Sequence, residues 1–151
     1  KIFILPSLFL FFLSCGYTPI FSKRDVNFSI ENIKFLGNKD VKEKINQALS
    51  IYKNKPGKTK QISLVITNLK NIAIVSKNSK VEAQTNKISV DVNVKIILAE
   101  NRIVDKNFSK SSVYDIIDRK SEQKLIENKL IEDLSSEIAQ QIILEILENT
   151  K

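Results

Sequence analysis

Histidine is absent from this sequence of 151 residues, and cysteine occurs once, as Cys15. Without histidine, the chain has no imidazole to act as a base near neutral pH or to bind a metal ion. A single cysteine excludes an intrachain disulfide and a cysteine cluster for zinc or iron–sulfur. The three glycines are isolated, so no glycine-rich loop is available to hold phosphates. These absences leave a binding or structural protein, or an enzyme that uses carboxylates alone, and they predict no metal and no cofactor.

Basic side chains outnumber acidic ones, 24 against 17, which gives a net charge of +7. The excess lies in the body of the chain: residues 23–60 carry a net +6 and residues 61–119 a net +3, whereas residues 120–151 carry −3. A basic surface suits an anionic partner such as nucleic acid, a phospholipid surface or a phosphorylated glycolipid. The simpler alternative is that these lysines are only a solvated surface.

The first residues predict export from the cytoplasm. Residues 2–13 are apolar apart from Ser7 and follow Lys1. A helix of this length reaches about 18 Å, which is short of the roughly 30 Å hydrocarbon core of a bilayer. Its size is that of the apolar region of a signal peptide, so we assign residues 1–14 to a signal peptide of the lipoprotein type.

The end of that segment, Leu13-Ser14-Cys15-Gly16, resembles a bacterial lipobox. The modification requires a thiol, because diacylglycerol is attached as a thioether before the chain is cut in front of the cysteine. We therefore predict that Cys15 is lipidated and that residues 15–25 form a tether to the membrane. The alternative is a free cysteine at the end of an ordinary secretory signal. Gly16 after the cysteine, by similarity to enterobacterial lipoproteins, favours the outer membrane, with the protein facing the periplasm.

Hydrophobic periodicity predicts six elements in the mature chain. They are strands over 26–36, 61–75, 84–99 and 102–113 and helices over 40–52 and 119–149. The third strand has the clearest alternation, with apolar residues at every even position from Ile88 to Leu98. We expect an irregularity near Asn32 in the first strand. The fourth strand has a weaker pattern, and we expect it to be irregular or at an edge.

The last helix has an apolar stripe that we expect to pack against the sheet. Its apolar residues recur at helical spacing: Leu125, Ile126, Leu130, Ile131, Leu134, Ile138, Ala139, Ile142, Ile143, Ile146 and Leu147. Asp118 or Ser121 is a candidate cap for its start. Asp115 and Asp118 are three residues apart, but a catalytic carboxylate pair needs a cleft and raised pKa values, and a role at the start of this helix is simpler. We predict no catalytic residues and no enzymatic activity.

The element order β-α-β-β-β-α predicts an α+β two-layer sandwich. The first strand–helix–strand unit would be a crossover between parallel strands, and the last three strands would form a meander. The result is a mixed, mostly antiparallel sheet of four strands with two helices packed on one face. Residues 26–149 would form this single domain.

The mature start, Cys-Gly-Tyr-Thr-Pro-Ile-Phe over residues 15–21, resembles that of the alphaproteobacterial LptE family of lipopolysaccharide-assembly lipoproteins. The element order is also similar, as is Gln84-Thr85 before the long alternating strand. The resemblance covers Cys15 to about Asn149. It implies a non-enzymatic plug inside the outer-membrane β-barrel LptD, which helps that barrel to assemble and contacts lipopolysaccharide during its delivery to the outer leaflet.

Basic side chains in two places of this family are connected with lipopolysaccharide contact: the loop before the alternating strand and the start of the last helix. The resemblance carries these roles to Lys80 in the first place and to Arg119 or Lys120 in the second. The chemistry is reasonable, since Lys and Arg form charge-assisted hydrogen bonds with the phosphates of lipid A.

The residues leave a second function open, namely a free-standing periplasmic lipoprotein that binds an anionic lipid or polymer without a barrel partner. A glycan hydrolase is a third, but the acids are dispersed and few aromatics are present to hold a sugar. Nucleic acid is not expected as a partner behind a signal peptide. Apolar side chains on the outer face of the sheet, such as Ile97, would favour a partner surface and therefore the first function.

Overall fold

The six predicted elements occur in the predicted order in a computed structural model, which describes residues 26–77, 83–99 and 102–151. The elements are β1 (Phe28–Gly37), α1 (Lys39–Ser50), β2 (Lys60–Lys77), β3 (Ala83–Ile97), β4 (Ile103–Asp115) and α2 (Lys120–Asn149). The signal peptide and the tether predicted for residues 1–25 lie outside the described residues.

The sheet has the strand order β1-β2-β3-β4. β1 runs parallel to β2, with α1 as the connection between them, and the pairs β2–β3 and β3–β4 are antiparallel. Both helices lie on the same face of the sheet and pack against each other. The predicted α+β fold with a mixed four-stranded sheet is therefore confirmed.

The alternation in β3 determines which face of the sheet is buried. Its even-numbered apolar side chains, from Ile88 to Leu98, are all buried between the sheet and the helices. Across the antiparallel register, Ile96 lies opposite Leu64 and Val94 lies opposite Ile66, so β2 extends the same apolar face. Removing this area from water is the main contribution to stability that the sequence pattern encodes.

A β-bulge in β1 confirms the irregularity expected near Asn32. The register with β2 shifts between Ile30 and Asn32, which leaves Glu31 as the extra residue. The bulge allows Ile33 and Phe35 to pack on the same core as Ile30, although they are an odd number of residues away. Without it, a strict period of two would turn these side chains to the outer face.

The fourth strand is at the edge of the sheet, as expected, but it is not irregular. Its register with β3 runs from Ile97–Ile103 to Thr85–Asp115 without a shift. Its apolar pattern is weak because Lys106 and Lys110 occupy positions on the helix-facing side. Their amines lie 3.1 Å from the carboxylates of Glu145 and Glu137 in α2, respectively, so β4 contacts the helix through two ion pairs here.

The start of α2 differs from the prediction in two respects. Leu125 and Ile126, predicted as part of the buried stripe, are 67% and 37% exposed, whereas the stripe is buried from Ile131 onwards. A helix of 30 residues reaches about 45 Å, and its first turns extend past the side chains that α1 and the sheet offer. The N-cap is Arg119 and makes no side-chain cap hydrogen bond, so the capping predicted for Asp118 or Ser121 is wrong. Within the described residues, neither helix has the length and apolarity that a bilayer crossing requires.

Candidate functional site

A groove lies at the end of the molecule where α2 begins, and we call it the α2-start groove. Its volume is about 540 Å³, which is the size of a small-molecule site. Its lining comes from the first turn of α1, the middle of β2, the segment between β4 and α2, and the first turns of α2: Asp40, Lys70, Ile72, Ile116, Ile117, Asp118, Lys120, Gln123, Lys124, Glu127, Asn128 and Ile131.

The lining is amphipathic. Isoleucines form an apolar floor, in which Ile131 is buried and Ile72 and Ile116 remain partly exposed. Lys120 and Lys124 are one helical turn apart, so both amines rise from the same side of α2. Among the described residues, neither amine has a carboxylate within 4.0 Å. The groove therefore combines apolar surface with cations that are available to a ligand.

A third lysine enters the groove from the sheet. Lys70 lies on the helix-facing side of β2, opposite Val90, after the inward series Ile62, Leu64, Ile66 and the buried Asn68. Its side chain is only 23% exposed, and its amine donates a 2.9 Å hydrogen bond to the Oδ2 of Asp40. That hydrogen bond and the lysine's charge lower the pKa of Asp40 below the usual 3.8. The charge of Lys70 is thus already matched within the protein.

The turn that carries Asp40 is fixed by hydrogen bonds to β2. The buried Asn68 accepts a hydrogen bond from the backbone N–H of Asn38 at 2.8 Å, and the side chain of Asn38 accepts one from the backbone N–H of Lys70 at 2.9 Å. Gly37, at φ 114°, brings the chain against Asn68, where an added Cβ would lie 2.0 Å from the carbonyl oxygen. Only glycine suits this position.

A tyrosine network fixes the first turns of α2. The hydroxyl of Tyr114 donates a 2.7 Å hydrogen bond to Glu127, which also accepts one from Gln123. Gln123 in turn accepts the backbone N–H of Ile117 at 2.9 Å. Burial and the hydrogen bond to Glu127 raise the pKa of the tyrosine, so it is a neutral donor at all ordinary pH values. These hydrogen bonds hold the groove wall in place, and neither Lys120 nor Lys124 takes part in them.

Of the predicted site residues, the structure places Lys120 in the groove and Arg119 outside its lining. The guanidinium of Arg119 is largely exposed and lies 2.5 Å from Glu122. Cys15 and Lys80 lie outside the described residues. No group of three or more Asp, Glu, Cys or His side chains that could hold a metal ion occurs in the described parts of the chain.

Solved structures share this architecture at low sequence identity. Rare lipoprotein B from Shewanella oneidensis superposes with a TM-score of 0.58 and 11% identity, over 79% of this chain and 96% of that one. An uncharacterized lipoprotein B from Nitrosomonas europaea gives 0.59 and 14%, over 85% and 90%. A minor lipoprotein from Acinetobacter baumannii gives 0.52 and 12%, over 78% and 93%. The chain has the lipoprotein B fold. No protein-family model and no curated protein matches its sequence.

Sequence reasoning overlooked two groove residues of this lipoprotein B fold, Lys70 and Lys124. Lys70 was detectable as a charged residue at an inward position of β2, because the period-two series of Leu64 and Ile66 reaches it through Asn68. Lys124 was detectable as the residue one turn after Lys120. The floor could not be found this way, because the segment containing Ile116 has no periodic pattern.

The outer face of the sheet carries apolar side chains at its two ends. Ile97 is half-buried and pairs across the sheet with Ile103, which is 60% exposed. Val113 is exposed at the other end of β4. Between them, β3 and β4 are polar, since Asn93 donates hydrogen bonds to Asp105 at 2.6 Å and to Asn107 at 2.9 Å. β2 adds one largely exposed apolar side chain there, Leu69, opposite Asp91.

Proposed function

We propose that this chain is a lipid-anchored, non-enzymatic lipopolysaccharide-assembly lipoprotein of the outer membrane, and that it faces the periplasm as the plug and assembly partner of an LptD-type barrel. The observation that carries the proposal is the α2-start groove. Lipid A joins phosphates to acyl chains, and the groove joins unpaired lysines to an isoleucine floor. The lipoprotein B fold and the predicted lipidation of Cys15 support the proposal.

In this function, Lys120 and Lys124 bind phosphate by charge-assisted hydrogen bonds, which are stronger than neutral ones. Ile72 and Ile116 contact the start of an acyl chain, which would remove their exposed surface from water. Lys70 and Asp40 hold the opposite wall. No step forms or breaks a covalent bond, so the site needs no base or nucleophile.

The outer face of the sheet supports the part of the proposal that gives the chain a large barrel partner. The lumen of outer-membrane barrels is polar, and the hydrogen-bonded row of Asn93, Asp105 and Asn107 offers a polar surface of matching character. The apolar side chains of Ile103 and Val113 at its ends provide contact area of the kind found at interfaces.

The test is a mild-detergent purification of the tagged full chain from its native outer membrane, with mass spectrometry of the partners and of the N-terminal peptide. We expect a stoichiometric β-barrel of much larger mass and an acylated Cys15. Recovery of the protein alone, without a barrel, would contradict the plug function. The remaining function would be a free-standing lipoprotein that binds an anionic lipid or polymer.

A further inference from the structure

The end of the molecule opposite the α2-start groove is strongly basic. Three segments meet there: the loop between α1 and β2, the start of β4, and the last turn of α2. We call it the basic end, and its cations are Lys53, Lys55, Lys58, Lys60, Arg102 and Lys151. In the described residues of these segments (51–61, 98–99, 102 and 147–151), Glu148 is the one acidic side chain.

The basic end is rigid, because its loop is bonded to the start of β1. The backbone N–H of Lys55 donates a 2.8 Å hydrogen bond to the hydroxyl of Ser29, and Lys53 forms a β-bridge with Ile30. Thr59 donates a 3.0 Å hydrogen bond to the side chain of Asn27. The lysines of the loop are therefore held beside the point where the chain enters the domain.

The cations of this end divide into two groups. Lys60 donates to the carbonyl oxygens of Thr150 and Lys151, and Arg102 donates to that of Asn149 at 2.8 Å, so both satisfy the end of α2. Lys53, Lys55 and Lys151 have no carboxylate within 4.0 Å among the described residues. By contrast, Lys106 and Lys110 on β4 are paired with glutamates of α2.

We propose that the basic end is a docking surface for the anionic phospholipid headgroups of the leaflet that holds the lipid anchor. This inference rests on the anchor of the proposed function, but on neither the barrel nor lipopolysaccharide. Cys15 precedes Val26 by eleven residues, which span at most about 40 Å. Since Val26 adjoins the basic end, the anchor restricts this end, rather than the groove, to the neighbourhood of the membrane.

The chemistry of the surface fits flat, anionic headgroups better than a nucleic acid. Within residues 51–61, Tyr52 is the only aromatic residue, and it is buried against Phe28, so no ring is available to stack on a base. A cleft of about 370 Å³ lies among Lys60, Arg102 and Lys151, where a single headgroup phosphate can enter. Near an anionic membrane each basic residue strengthens binding by about fivefold, and an anchor with a basic patch provides the two signals that stable attachment needs.

The experiment compares lysine reactivities in one protein. The full processed chain, purified from its membrane, is inserted into vesicles of phosphatidylcholine alone and of phosphatidylcholine with phosphatidylglycerol. Each lysine is then followed by mass spectrometry during reaction with an amine acetylating reagent. We expect Lys53, Lys55 and Lys151 to react roughly fivefold more slowly on the anionic vesicles. Lys39, Lys87 and Lys129, which lie outside both the basic end and the groove lining, serve as internal controls and keep their rates.

The measurement is repeated in 1 M salt. Because the Debye length is then about 3 Å, the protection of the lysines by the anionic vesicles should disappear. Equal rates on both vesicles, or equal slowing of Lys39, Lys87 and Lys129, would overturn the inference. If Cys15 is acylated and no protection appears, the docking surface fails and the proposed function stands. If protection appears but Cys15 is not acylated, the basic end binds headgroups by its charge alone, and both the argument from the tether and the anchor of the proposed function are wrong.

A charge-removal variant tests the same surface by another readout. Amide hydrogen exchange over residues 53–60 should slow on anionic vesicles in the native sequence. Substitution of the three unpaired lysines, Lys53→Gln, Lys55→Gln and Lys151→Gln, should abolish that slowing. A matched control removes three charges elsewhere: Lys39→Gln, Lys87→Gln and Lys129→Gln. Loss of the slowing in the control as well would show that net charge alone is responsible and would overturn the surface.

Discussion

The two ends of this molecule, about 45 Å apart along α2, both carry lysines but organise them differently. At the α2-start groove, the cations Lys120 and Lys124 stand among isoleucines, with Asp40 and Glu127 close by. At the basic end, Glu148 is the one acidic side chain of the described segments, and the exposed Ile51 and Ile103 lie beside the cations. The net charge of +7 does not distinguish these arrangements. An amphipathic groove selects an amphiphile, whereas a mainly basic surface selects a charged plane.

The largest expected effect is on stability, and it differs between the glycine turns at the two ends. Gly37→Ala should lower the free energy of unfolding by more than about 3 kcal/mol, because the added Cβ would meet the carbonyl oxygen of Asn68 at 2.0 Å with φ at 114°. Gly57→Ala, in the basic loop, should cost only about 1 kcal/mol, since φ is 71° and nothing lies within 4 Å of the new Cβ. Denaturant unfolding measures both, and equal losses would contradict the assignment of Asn68 as the close contact.

The next effect concerns ligand selection. Lys120→Glu combined with Lys124→Glu should weaken the binding of purified lipopolysaccharide roughly tenfold, because charge-assisted hydrogen bonds to phosphate are lost. The matched variant at the basic end, Lys53→Glu with Lys55→Glu, should change the affinity much less. Arg119→Glu should also have a small effect, because Arg119 lies outside the groove lining and is paired with Glu122. Equal losses in all three variants would show that binding follows net charge and not the groove.

A smaller effect follows from the ion pair between Lys70 and Asp40. The pKa of Asp40 is lowered in the folded state, so its contribution to stability is present above the usual pKa of 3.8 and is lost as the pH falls through the folded value. Asp40→Asn should therefore reduce the free energy of unfolding at pH 7 by less than about 1 kcal/mol, because the carboxylate is half exposed.

The difference between Asp40→Asn and the native chain should disappear when the unfolding series reaches a pH well below 3.8. Glu43→Gln is the control, because its pair with Lys39 is longer, at 3.6 Å, and more exposed. A difference for Asp40→Asn that persists in acid would assign the effect to the side-chain shape and not to its charge.

The smallest effect concerns the end of α2. Lys60→Gln should cost about 0.5 kcal/mol, because the ammonium that meets the last carbonyl oxygens of the helix is lost. The loss should shrink in 1 M salt, and thermal unfolding at low and high ionic strength measures it. A loss that is independent of salt would indicate packing of the lysine stem instead of charge.

Periodicity predicted the buried face of the sheet because each strand must place alternate side chains on opposite faces. The series from Ile88 to Leu98 has no other low-energy arrangement, and the bulge near Asn32 followed from a break in the same rule. Periodicity could not show where a neighbouring element ends. For this reason periodicity places Leu125 and Ile126 in the core, although α1 is too short to cover them.

The site was predicted in part. The family resemblance predicts Lys120, and the structure places it in a groove whose other wall contains Lys70, 50 residues earlier in the chain. Such a juxtaposition depends on the parallel crossover from β1 to β2 and on the position of α2 over β3 and β4. Neither is a local property of the sequence, so only the assembled sheet brings Ile72 beside Ile116.

The parallel pairing of β1 with β2 has a mechanical consequence. The chain that precedes Val26 enters at the start of β1, and β1 is paired with β2 over nine residue pairs, from Phe28–Lys60 to Gly37–Asn68. A pull on that chain along the strand axis loads these pairs together in shear, whereas a pull across the sheet would open them one by one. An anchored domain of this design should resist detachment best when its strands stand upright on the membrane, with the basic end downward.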